Sequence, residues 1–231
     1  MAMHDLNSFD QIESQPEYGS PLSVAIIKRD QETMQMVRRA VETGQVVLAF
    51  QPIVRAANPE LPAFYEGLIR VVDHTGRIIP AGDFIDVVEA QELGRQIDTK
   101  ALDLGFQALA ENPDLRLAIN MSARSIGYAR WMTALRQGLE RDPSAGERLI
   151  LEITERTAIV MPDLVQVFMG EMQAHGISFA LDDFGAGYTA FRYLRDFYFD
   201  ILKIDGEFIK QIASNPDNQV IAQAMLSMAQ H

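Results

Sequence analysis

The stretch "ISFALDDFGAGYTAFRYL", Ile177–Leu194, decides how this chain is read. Its apolar run is short and β-like, and it ends on two adjacent acids, Asp182 and Asp183, just before a Gly-x-Gly turn. Adjacent carboxylates repel each other, and neither is placed to cap a surface helix. An acid at the end of a buried strand is costly to desolvate unless a cation or hydrogen bonds compensate it. Two such acids side by side ask for a cation.

Outward from this stretch, the same unit recurs. Apolar runs "VVLAFQPIV" (46–54), "AFYEGLIRVV" (63–72), "LRLAINMS" (115–122), "RLILEIT" (148–154), "ISFALDD" (177–183) and "DILKID" (200–205) have strand character. Between them lie helical patterns. They run from about Asp83 to Ala110, around Trp131, from about Asp163 to His175, in a short piece after the paired aspartates, and through "NQVIAQAMLSMAQH". Ahead of the first strand, "RDQETMQMVRRAVETG" puts Met34, Val37 and Val41 on one helix face and stops at Gly44. This βα alternation predicts an α/β fold with a mainly parallel sheet, either doubly wound or closed as a (β/α)8 barrel. Residues 1–20, rich in Ser, Pro, Gln and Asn, read as a flexible leader or linker, and 21–231 as the domain.

The composition bounds the function. A net charge of -12 over 231 residues excludes a surface that coats polymeric nucleic acid, which draws on clustered Lys and Arg. No apolar run approaches the ~18 residues of a membrane span, and the acidic N-terminus is unlike a secretory signal, so a cytoplasmic location is expected. There is no cysteine, and the four histidines are scattered without ligand spacing. Any metal should therefore be a hard cation on oxygen ligands, Mg2+ or Mn2+.

The polar residues fall at the strand ends, where a barrel builds its active site. Glu66 lies in "YEGLIR", Asn120 and Ser122 in "INMS", Glu152 and Thr154 in "LEIT", Asp182 and Asp183 in "LDD", and Lys203 and Asp205 in "LKID". Any one of these alone reads as a strand-end residue paired with a cationic side chain. Together they imply a bound cation, and adjacent aspartates suit a carboxylate-bridged pair of metals of the kind that cleaves phosphodiesters. Lys203 reads as an ion-pair partner or as a group that holds an attacking water and steadies phosphate charge. Glu155 reads as a loop anchor. "DFG" at 183–185 also occurs in kinases, but a glycine-rich phosphate loop and a His-Arg-Asp catalytic loop are both missing from the sequence.

With these motifs in order, the chain from about Ser23 onward resembles the EAL-domain family, bacterial phosphodiesterases that linearise cyclic di-GMP to pGpG. "YEGLIR" resembles the naming Glu-Ala-Leu-x-Arg motif with Gly67 in place of Ala, and "QPIV", "INMS", "LEITE", "LDDFGAGY" and "DILKID" resemble the other family motifs in family order. The resemblance implies a TIM-like (β/α)8 barrel with an antiparallel first strand. It implies two Mg2+ or Mn2+ ions held by Glu66, Asn120, Glu152, Asp182 and Asp183, with Lys203 orienting the attacking water. Gln51, Leu68 and Arg70, with Ser122 and Asp205, would hold cyclic di-GMP, and Glu155 would anchor a loop tied to homodimerisation through the barrel. The family carries two further strands after the helix that follows "DILKID", so a barrel lacking its last strands is expected for the sequence as it runs to His231. A non-catalytic cyclic di-GMP receptor is the alternative within the same family.

Overall fold

The computed structural model describes residues 20–186 and 197–230, apart from the side chains of residues 157, 159 and 160. The expected leader and the short helix after the paired aspartates lie outside the described residues. Helix α1 (Pro21–Glu42) opens on a proline, with the Ser20 hydroxyl accepting from the Ser23 N–H at 3.2 Å. It starts about two turns earlier than the Met34, Val37, Val41 stripe predicts. Leu22, Val24, Ile26 and Ile27 stay exposed there, so cap chemistry sets this start and burial does not. The chain leaves the helix through Gly44, whose φ of 71° is the left-handed conformation that ends helices.

β1 (Val46–Arg55) and β2 (Asn58–Val72) form an antiparallel hairpin in which Gln51 pairs with Glu66, and β3 (Ile78–Pro80) adds to the far end of β2. β2 begins five residues before its apolar run, because Pro59 and Pro62 sit at the tip of the hairpin beside a register shift rather than in the paired centre. The chain then runs through α2 (Ile85–Val88), α3 (Glu92–Glu111), β4 (Leu117–Asn120), α4 (Ala129–Arg141), β5 (Leu149–Thr154), α5 (Glu155–Val160), α6 (Pro162–Gln173) and β6 (Ser178–Phe184). β7 (Ile201–Ile204), α7 (Gly206–Ile209) and α8 (Pro216–Ala229) follow.

One curled sheet carries all seven strands in the order β1-β2-β4-β5-β6-β7, with β3 on β2. From β2 to β7 each successive pair along this path is parallel, so their C-terminal ends lie along one rim. Among the described residues β1 and β7 each have a single strand neighbour, and the sheet is a part-barrel with an antiparallel first strand.

Period-2 alternation sorts the strand residues onto two faces. Leu117, Ile119, Leu149, Leu151, Phe179 and Leu181 pack outward into the main core under the helices. Phe64, Ala118, Ile150 and Ala180 form a second, smaller cluster on the inner face, with Ile201 packed against it. Ile119 shows how closely α3 lies on the sheet. A Cβ at Gly67 would come within 2.7 Å of its Cδ1, and one at Gly105 of α3 within 3.1 Å of the same atom.

Candidate active site

The inner cluster is the floor of the site. Two residues further along each of its strands and on the same face, near the C-terminal rim for all but the long β2, the side chain becomes polar. Phe64 is followed by Glu66, Ala118 by Asn120, Ile150 by Glu152, Ala180 by Asp182 and Ile201 by Lys203. Five strands thus contribute one polar residue each to a ring above an apolar base.

The ring closes on Lys203. Its Nζ lies 2.6 Å from Glu152 Oε2, 3.1 Å from Asp182 Oδ2 and 3.2 Å from Glu66 Oε2. Asn120 Nδ2 donates to the other Glu66 oxygen at 2.9 Å. Ligand atoms of Glu66, Glu152 and Asp182 all lie within 4.8 Å of one another. Glu152 is 1% exposed, and its Oε1 has no hydrogen-bond partner among the described residues. Three carboxylates around one ammonium make a cluster of oxygen donors in which acids outnumber the cation.

The titration of these groups follows from that crowding. Burial, then the facing Glu66, pushes the Glu152 carboxyl well above the usual carboxylate range despite the Lys203 contact. Burial alone would pull the Lys203 ammonium down, but Glu152, Glu66 and Asp182 outweigh it and hold the group above the ordinary lysine value. In this arrangement the Lys203 ammonium is a donor to all three acids.

Asp183 stands apart from the three convergent acids. It is exposed, with a backbone φ of 54° that is unusual for a residue other than glycine, and its N–H donates to Asp182 Oδ1 at 3.0 Å. Although the residue as a whole is exposed, local desolvation of its carboxylate, then Asp182 and Asp205, raises its pKa. Glu155 is 5% exposed at the start of α5, and its Oε2 accepts from the Gly185 N–H at 2.9 Å.

The remaining expected residues are spread along the rim. Gln51 is exposed opposite Glu66, and Leu68 and Arg70 continue the Glu66 face of β2 half-buried, with an Arg70 N–H on the Ile69 carbonyl at 2.9 Å. Ser122 and Asp205 already serve as caps: Ser122 Oγ accepts from the Arg124 N–H at 3.2 Å, and Asp205 Oδ1 from the Glu207 N–H at 2.6 Å. One acid beside the site escaped the sequence reading. Asp98 of α3 accepts from the Ser122 N–H at 3.0 Å and from Ser125 Oγ at 2.6 Å, both on Oδ2. The available signal was its place on the stripe of Gly94, Ala101 and Gly105, the buried face of α3.

Among the described residues no helix is long and apolar enough to cross a membrane. A family model described as the EAL domain matches residues 34–231. The cyclic di-GMP phosphodiesterase NbdA of Pseudomonas aeruginosa is 32% identical over 213 residues, covering 89% of this chain and 27% of the relative. The cyclic di-GMP phosphodiesterase PdeF of Escherichia coli is 32% identical over 194 residues, covering 82% of this chain and 26% of the relative. The chain thus spans about a quarter of the length of these curated relatives. In the solved structure of the PaMucR phosphodiesterase in complex with c-di-GMP, 30% identical, the match covers 86% of this chain and 82% of that one with a TM-score of 0.75. The FimX EAL domain of Xanthomonas citri in complex with c-di-GMP matches with a TM-score of 0.76, over 90% of this chain and 82% of that one, and at 23% identity shares the fold.

Proposed function

The chain belongs to the EAL domain family, and from that premise we propose that it hydrolyses cyclic di-GMP to linear pGpG, using divalent cations held by Glu66, Asn120, Glu152, Asp182 and Asp183. The observation that carries the reading is the convergence of Glu66, Glu152 and Asp182 from three strands, with their ligand atoms within 4.8 Å of one another. The residues fit a hard cation. The acids bring oxygen donors from the sheet, and the buried Oε1 of Glu152, without a partner among the described residues, is available as a ligand atom. The second ion and the place of Asp183 as its ligand rest on the family resemblance, since Asp183 lies outside the convergent group of Glu66, Glu152 and Asp182. Bound there, Mg2+ or Mn2+ would neutralise phosphate charge and favour ionisation of the attacking water.

The chain's own residues do the rest. Asn120 fixes the orientation of Glu66 by its 2.9 Å hydrogen bond. Lys203, held protonated by its neighbours, orients the water and offsets charge that builds on the phosphate. Arg70 offers a planar guanidinium with N–H groups to spare for a phosphate or a guanine edge. Gln51 and Leu68 flank it on the hairpin, and Ser122 and Asp205 keep free lone pairs for ligand beyond their caps. Glu155 ties the turn after Asp183 through Gly185. A cytoplasmic location and homodimerisation through the barrel accompany the reading as expectations of the family.

The test is chromatography after incubation with cyclic di-GMP and Mn2+. Linear pGpG should form, and a chelator should abolish it. Tight binding of cyclic di-GMP with no product at any Mn2+ concentration would turn the reading into a receptor.

A further inference from the structure

Asn120 is the last residue of β4, and the chain leaves the sheet directly after it. Two contacts pin that departure from opposite sides. The Met121 N–H continues the ladder to the Glu152 carbonyl at 2.9 Å, and the Ser122 N–H donates to Asp98 Oδ2 at 3.0 Å. The same Asp98 oxygen takes the hydroxyl of Ser125, which is 0% exposed. We propose that Asp98 is a positioning residue of the site, which fixes the end of β4 so that Asn120 can hold Glu66 and, with it, a divalent cation. The inference rests on the function proposed above.

Two further ties join the same turn to the region of α3, Arg124 to the Ala90 carbonyl at 2.6 Å and Tyr128 to Glu92 at 2.7 Å. Both run over exposed surface, where water substitutes readily. The Asp98 pair lies beneath them and reaches a buried hydroxyl, and a lost partner there leaves a donor unsatisfied. A group bonded directly to a ligand typically controls metal affinity about 10- to 100-fold, and Asp98, which acts through the Ser122 backbone, belongs at the lower end of that range. Both bonds converge on one oxygen, so an asparagine can reproduce them with its carbonyl while an alanine cannot.

Mn2+ binding to the full chain, measured by calorimetry beside the melting temperature without metal and beside pGpG formation, tests this. Asp98→Ala should bind Mn2+ about 10-fold more weakly or worse, while Asp98→Asn should stay within about 3-fold of wild type. Wild-type affinity in a folded Asp98→Ala overturns the proposal. Should Asp98→Ala fail to fold, Asp98→Asn decides: a folded Asn variant with a 10-fold loss overturns the proposal. A wild-type chain that binds no Mn2+ overturns it as well. If instead wild type binds Mn2+, the variants follow the expected order and no pGpG forms, the hydrolytic reading fails and the positioning role stands.

Discussion

Lys203 Nζ sits 2.6 Å from Glu152 Oε2, and the same ammonium reaches Glu66 and Asp182 at 3.2 and 3.1 Å. It thus lies where three strands present negative charge. The lysine compensates those acids in the protein without metal, and it has to share them with any cation that enters.

Removing that ammonium should separate its two effects. Lys203→Met leaves three clustered carboxylates without their cation, and breaking such a partly buried group costs about 3 kcal/mol. The variant should melt at a lower temperature without metal, and Mn2+ should raise its melting temperature by more than it raises that of wild type. Its turnover should be lost. A smaller Mn2+ effect than in wild type would mean that the carboxylates do not form the cation site.

Gly67 stands where the resemblance puts an alanine in the naming motif, and an added Cβ there would press on the tip of one side chain. A Cβ at Gly67 would lie 2.7 Å from Ile119 Cδ1. Gly67→Ala should therefore destabilise the fold by about 1 kcal/mol, and Ile119→Val in the same chain should recover part of it. Urea unfolding of both single variants and the double variant measures the coupling. Strict additivity would show that the two side chains do not compete for the space.

A pH effect follows from Asp98. Burial raises its carboxyl from the ordinary 3.8 to about 6, against the hydrogen bonds from Ser125 and Ser122 and with a smaller push from Glu89. An acid whose pKa is raised on folding holds its proton more tightly when folded. Its contribution is complete below the unfolded value and lost as pH rises through about 6, which amounts to about 1 kcal/mol between pH 5 and pH 8. The stability of wild type should fall relative to Asp98→Asn over that range. Parallel curves in denaturant titrations would contradict the assignment.

The proposed ligand contacts and the proposed metal ligands predict different kinetics. Glu66→Ala, or Asp182→Asn with Asp183→Asn, should lower metal-dependent turnover by orders of magnitude, because each removes charge that positions a cation. Arg70→Ala should instead raise KM with a smaller effect on kcat, as expected for lost binding contacts. Steady-state kinetics at saturating Mn2+ distinguishes the two classes, and near-normal turnover in either acid variant counts against the metal ligands.

Much of this site was legible because parallel strands place their ends on one rim. Period 2 fixes which side chains share a face, so Asn120, Glu152, Asp182 and Lys203 stand out from their places near strand ends, and Glu66 from being an acid inside an apolar run. Asp98 was not, because a lone acid on a helix reads as solvent-facing unless the opposite stripe is known to be buried. The double use of Ser122 and Asp205 as caps was hidden for a related reason. Capping depends on where the backbone turns, and strand periodicity carries no information about that. The early start of α1 and the long hairpin of β1 and β2 rest on local cap and turn chemistry in segments with little buried surface.

The most direct measurement is the initial rate of pGpG formation from cyclic di-GMP against Mn2+ concentration, for wild type and Glu152→Gln together. A rate that saturates with Mn2+ in wild type, vanishes with chelator and falls by orders of magnitude in Glu152→Gln is the predicted result. Equal rates in the two proteins, or hydrolysis that persists in chelator, would contradict a cation site built on Glu66, Glu152 and Asp182.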